Sequence, residues 1–170
     1  MLEGAVKDVA TVSSGGDLLF DPIAGVQVRE LRNQFTRVGG TTTEFYCYDW
    51  FDPPVAIRQM VHVVMQPGVV SAWHFHAKQT DVLVVTNGVL RIALFDDREG
   101  SPTRGKVNAL TIGPLRPRAV VIPPKLWHGV QNPSGEVSSF VNATDMIFEH
   151  GDPDDWRVPP DHPQIPYRFA

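Results

Sequence analysis

Residues 68–88, GVVSAWHFHAKQTDVLVVTNG, place two histidines two positions apart inside a run of β character. In an extended strand the side chains of His74 and His76 leave the same face. Asp81 follows across a short polar step, and Asn87-Gly88 supplies a tight turn before the next apolar run. His128, further along, adds a third imidazole. Two imidazoles, a carboxylate and a further histidine suit either a metal ion or a proton-transfer reaction, and both readings stay open at this point.

Outward from this stretch, the chain reads as short strands separated by turn residues. Val26, Val28 and Leu31 begin a strand-like pattern, and Thr42 to Asp49 is rich in β-branched and aromatic residues. Val55 to Met65 is a strand that Pro67-Gly68 closes, with His62 inside it as a structural histidine. Val69 to His76, Val82 to Thr86 and Val89 to Phe95 follow. Lys106 to Ile112, Ala119 to Ile122 and Val137 to Ala143 complete the set, with turns at Gly113-Pro114, Pro123-Pro124 and Pro133-Ser134-Gly135. Arg91 shares a strand face with Val89, Ala93 and Phe95, where its charge needs a partner, either a ligand anion or a structural carboxylate. About ten short strands with no helical period predict an all-β antiparallel sandwich or barrel.

The 170 residues are 42% hydrophobic and 20% charged, which predicts a single domain over 1–170. Residues 1–24 read as an N-terminal arm broken at Ser14 to Gly16. Residues 150–170, rich in proline, read as an irregular tail wrapped on the body and held by Trp156, Ile165, Tyr167 and Phe169. A net charge of −4 gives no basic footprint for nucleic acid. No segment has the length and apolarity of a membrane span. The single cysteine, Cys47, cannot form an internal disulfide and agrees with a cytoplasmic protein.

The spacing of Gly68, His74, His76, Asp81 and Gly88 resembles the first cupin motif, and that of Pro117, Pro123, Lys125, His128 and Asn132 resembles the second. The cupin pattern has glycine where Pro117 and Lys125 stand, and glutamate where Asp81 stands. The resemblance implies a cupin double-stranded β-helix, or jelly roll. Carried over residue by residue, the cupin metal positions are His74, His76, Asp81 and His128, for Fe, Mn, Ni or Zn.

A longer resemblance covers residues 55 to 168. FDDREGSPTRG, IPPKLWHG and a tail with Asp-Pro, Trp and Ile-Pro-Tyr are similar to the dTDP-4-dehydrorhamnose 3,5-epimerases and related nucleotide-sugar isomerases, themselves cupins. It implies no cofactor, a nucleotide sugar as substrate and a homodimer. It further implies His74 as base beside a ketone, an aspartate of the tail to orient it, with Asp161 the best counterpart, and His128 near the developing enolate. Imidazole has the pKa for removing a proton beside a ketone, and a carboxylate on its other nitrogen fixes the tautomer. Trp73 and Trp127 flank the histidines as stacking candidates, and Arg91, Arg104, Lys106 and Lys125 are diphosphate candidates. Ser71 stands for the family's arginine, Asp81 for its lysine, His76 for its glutamine and Val141 for its proton-donating tyrosine. Three readings follow: an epimerase or single-face isomerase, a metal-dependent cupin that is an oxygenase or metal-assisted isomerase, and a non-catalytic sugar-binding cupin.

Overall fold

A computed structural model describes residues 2–15 and 19–169; Gly16 of the expected break and the outermost residue at each end of the chain lie outside the described residues. Among the described residues twelve strands run in chain order as β1 (Gln27–Glu30), β2 (Asn33–Phe35), β3 (Thr41–Thr43), β4 (Gln59–Met65), β5 (Val70–Phe75), β6 (Asp81–Asn87), β7 (Leu90–Phe95), β8 (Val107–Ile112), β9 (Arg118–Ile122), β10 (Trp127–Gln131), β11 (Ser138–Thr144) and β12 (Trp156–Arg157). One five-stranded sheet has the order β1-β9-β6-β11-β4, the other β12-β5-β10-β7-β8, and β2 and β3 pair alone. Every ladder is antiparallel, the jelly-roll arrangement expected of a cupin.

Alternation along the strands sorts side chains into three apolar layers. Between the sheets lie Leu83, Val85, Leu90, Ile92, Leu94, Val120, Ile122, Val130 and Phe140. The opposite faces of β6, β9 and β11 present Val82, Val84, Ala119, Val121 and Ala143, which Leu31, Phe51 and Val55 cover. On the other sheet Trp73, Ala93 and Phe95 point outward, and Ile165 of the tail seals them. Both outer faces are thus covered by parts of the chain that carry little regular structure.

The expected strand from Thr42 to Asp49 is not continuous: it stops at Thr43, and Tyr48–Trp50 forms one 3₁₀ turn. The aromatic residues there anchor a loop. Tyr46 stacks near Phe51 at 6.4 Å between ring centroids, and its hydroxyl donates to the Val55 carbonyl. The strand expected from Val55 begins only at Gln59, because Val55 packs into the layer below as part of that loop. The arm expected over 1–24 is partly core, since Ile23 is fully buried and its amide donates to Asn108 Oδ1 at 2.8 Å.

Asp96 explains the run after β7. It is fully buried and accepts from Arg98, Ser101 and Thr103 at 2.6 to 3.0 Å, while Arg98 also donates to the Ala24 carbonyl at 2.7 Å. Burial alone would raise this carboxyl's pKa, but these bonds hold it well below the usual range. The loop therefore pins the N-terminal segment to the β7–β8 hairpin. Among the described residues no helix is long and apolar enough to cross a membrane.

Candidate active site

The second sheet positions the histidines through an irregularity in β5. His128 of β10 stands opposite His74, but Val130 stands opposite Ser71, so β5 carries one extra residue between the two pairs. A bulge of this kind re-aims side chains. Ser71 and His74, three apart, both line the same cavity, while Trp73 between them turns outward. Gly129 allows the approach of β10 to β5: a Cβ there would lie 2.4 Å from that of Ala72. The cavity, about 790 Å³, opens between the sheets. Its other wall includes Val61, Val63, Leu83 and Phe140.

His74 sits between a hydroxyl and a carboxylate. Its Nε2 is 2.9 Å from Ser71 Oγ, and its Nδ1 is 3.6 Å from Asp155 Oδ1. The second distance is an electrostatic contact, longer than a hydrogen bond. Asp155 is held by Arg157, which donates to Oδ2 at 2.9 and 3.1 Å. Burial first, then the neighbouring His128 and Arg157, lower the His74 pKa to about 4, against the opposing pull of Asp155. His74 is therefore neutral at pH 7, with a lone pair available. The unfolded chain has an ordinary imidazole near 6.5 and binds more protons between the two values. The contribution of this residue to stability is expected to be complete above about pH 6.5 and lost as pH falls through about 4, read as a falling melting temperature that His74→Gln flattens.

His76, Asp81 and His128 form a second group, with one donor atom from each lying within 4.8 Å of the others. Asp81 Oδ2 is 3.4 Å from the Nε2 atoms of both His76 and His128. Asp81 is 1% exposed, and its Oδ1 accepts from Gln79 and Asn142 at 2.9 and 3.1 Å. Its Oδ2 accepts no hydrogen bond among the described residues. The Nδ1 of His76 meets the Asp154 carbonyl, and that of His128 meets the Leu126 carbonyl at 3.2 Å. Burial lowers the His128 pKa, with Asp81 opposing.

The residues expected from sequence separate in space. Asp161 is exposed in the tail and does not line the cavity; the carboxylate beside His74 is Asp155. His74 stays outside the group formed by His76, Asp81 and His128, so the four side chains expected together do not form one cluster. Trp73 faces the tail, fully buried, with its indole N–H donating to the Pro160 carbonyl at 3.2 Å. Trp127 packs against Phe75 on the same outer layer. Arg91 points to the outer face of β7, where it donates to Gln131 Oε1 at 3.4 Å. Lys125 is exposed on the turn before β10 with φ of 66°, the left-handed region that the cupin glycine ordinarily fills. None of these four lines the cavity. Val141 packs on the far face of β11, while Phe140, Asn142 and Thr144 face the cavity. The three tyrosines, Tyr46, Tyr48 and Tyr167, all lie elsewhere.

The tail supplies what sequence reasoning missed. Asp154 accepts from the amides of Ala77, Lys78 and Gln79 at 2.8 to 3.0 Å, and these bonds hold its carboxyl below the usual range although burial opposes them. That clamp, with the pairing of Arg157 to His74 across β12 and β5, brings Asp155 and Arg157 to the cavity. The crowding of Asp152, Asp154 and Asp155 before Trp156 is the one signal in the sequence that could have marked this segment.

Comparison with known proteins agrees with this architecture. The family model described as dTDP-4-dehydrorhamnose 3,5-epimerase matches residues 21–165. The probable low-salt glycan biosynthesis epimerase Agl13 of Haloferax volcanii is 34% identical over 141 residues, 82% of this chain and 89% of that protein. The spore coat polysaccharide biosynthesis protein SpsL of Bacillus subtilis is 30% identical over 103 residues, 61% of this chain and 68% of that one. A dTDP sugar isomerase from Desulfovibrio desulfuricans superposes with a TM-score of 0.77 at 29% identity, covering 85% of this chain and 90% of that chain. With a match over most of its length and the jelly roll that goes with it, the chain belongs to the dTDP-4-dehydrorhamnose 3,5-epimerase family and is an epimerase- or isomerase-type enzyme.

Proposed function

We propose that this enzyme moves a proton beside the ketone of a nucleotide-linked 4-keto sugar, with His74 as the general base. The observation that carries the reading is the setting of His74: lining the cavity between the sheets, with Asp155 beside one ring nitrogen and the Ser71 hydroxyl on the other, and with burial favouring its neutral form. The Asp155 carboxylate, 3.6 Å from Nδ1, favours the tautomer with its proton there, which leaves the lone pair on Nε2 toward Ser71 and the cavity, and it stabilises the imidazolium once the substrate proton arrives. His128 turns its own Nε2 to Asp81, which favours a role through His74 over direct donation to an enolate oxygen. Its stacked ring, 5.7 Å from that of His74, helps keep the base neutral. Lys78 and Arg157 are the lysine and arginine of the cavity lining, and a diphosphate suits them better than Arg91 or Lys125.

The wall facing His74 carries aliphatic and phenyl groups and no phenol. This favours chemistry on a single face of the enolate, with the proton returned by His74 itself or by solvent, over the double epimerisation that uses a tyrosine. A homodimer suits edge strand β4, where Met60 and Val64 are exposed on the side away from the cavity.

Uptake of solvent deuterium into a panel of dTDP-4-keto sugars tests the reading. At least one sugar should take up label; if none does, the proposal fails. The pH profile of exchange should rise through about 4 and stay level to pH 7, whereas an ordinary imidazole would give a limb near 6.5. Asp155→Asn should lower kcat for exchange by about 10- to 100-fold with little change in KM. Asp161→Asn should match the parent, and the opposite ranking of the two variants would return the orienting role to Asp161.

A further inference from the structure

The group formed by His76, Asp81 and His128 presents three lone pairs to one another. A carbonyl oxygen can only accept, so the contacts of both Nδ1 atoms with the Asp154 and Leu126 carbonyls place the imidazole protons there. In the neutral rings each Nε2 then offers a lone pair to Asp81 Oδ2, which is itself buried and accepts no hydrogen bond among the described residues. Three acceptors facing one another on the cavity wall repel, and a cation among them removes the repulsion. The separations have the right size as well. Two donors about 2.0 to 2.1 Å from one ion, at a near-tetrahedral angle, stand about 3.4 Å apart, and Asp81 Oδ2 is 3.4 Å from each Nε2. Nδ1–H bonded to a backbone carbonyl is also the usual outer support of a metal-binding histidine.

We infer that His76, Asp81 and His128 form a three-ligand site for a divalent first-row transition ion, and that His74 stands outside it. Two imidazoles and one carboxylate suit Zn, Co, Ni or Fe(II) over Mg or Ca, which prefer all-oxygen sites. A bound ion supplies a fixed positive charge on the cavity wall beside the proposed base. The inference does not rest on the epimerase reading: cation binding is measured without a sugar, so failure of one leaves the other standing.

The test is titration of the chelator-treated, full-length protein with Co²⁺, followed by calorimetry and visible absorption, with folding of each variant checked by circular dichroism. The parent should bind one equivalent with ligand-field bands. His74→Ala should keep both stoichiometry and bands. Asp81→Asn should weaken binding by more than about 100-fold, beyond the loss typical of an outer-shell change. It places an amide donor between the two Nε2 atoms, so the metal-free variant should melt above the metal-free parent. His76→Gln gives a second loss-of-ligand variant should Asp81→Asn fold poorly. Sub-stoichiometric binding by the parent, or unchanged binding in a folded Asp81→Asn or His76→Gln protein, overturns the site. Loss of binding in His74→Ala overturns the three-ligand assignment.

Discussion

His74→Ala is expected to slow deuterium exchange into a 4-keto sugar by about 10²- to 10⁴-fold, the usual range for a positioned general base. Among the described residues the ring meets the Ser71 hydroxyl, the Asp155 carboxylate and the stacked His128. Its removal leaves the apolar layers between and outside the sheets intact, so the variant should fold. The loss should fall on kcat more than on KM, because the base acts on the carbon-bound proton and leaves Lys78 and Arg157 in place. Added imidazole should restore part of the rate by occupying the space beside Asp155. An exchange rate equal to that of the parent would remove His74 from the reaction.

Trp73→Ala should act on stability. The side chain is fully buried under Tyr167 and Phe169, with ring centroids at 6.1 and 5.2 Å. Removing a buried tryptophan costs about 3–5 kcal/mol, which for a domain of this size lowers the melting temperature by roughly 6 to 20 °C. The backbone of Trp73 also exchanges hydrogen bonds with Val158 at 2.8 and 3.2 Å, so loosening this contact frees the segment that carries Asp155 and Arg157. Activity should therefore fall with stability and recover in part on cooling. A stacking role on substrate would instead raise KM with the melting temperature unchanged, and that outcome would contradict the packing seen here.

The strands were legible because their pattern is local. Short apolar, largely β-branched runs in β6, β7 and β9, bounded by Asn87-Gly88, Gly113-Pro114 and Pro123-Pro124, need no distant partner to be seen. Gly88 is also required by the tertiary structure: at φ of 69° its Cβ would lie 2.5 Å from Ser138 Oγ. The aromatic run at Thr42 to Asp49 misled because the same residues that favour strands also anchor loops to a core.

By itself the sequence determined the all-β class, the cupin spacing, the family, and the gathering of His74, His76, Asp81 and His128 in one region. These follow from short-range periodicity and from motifs whose members sit at fixed offsets. Only the tertiary structure decided that a bulge in β5 turns Trp73 outward and His74 inward, that Asp155 and not Asp161 reaches the histidine, and that His74 parts from the other three side chains. A bulge is a mismatch between two strands, and the tail is placed by Asp154 on the turn after β5 some 75 to 77 residues away. Neither leaves a periodic trace in the chain that carries it.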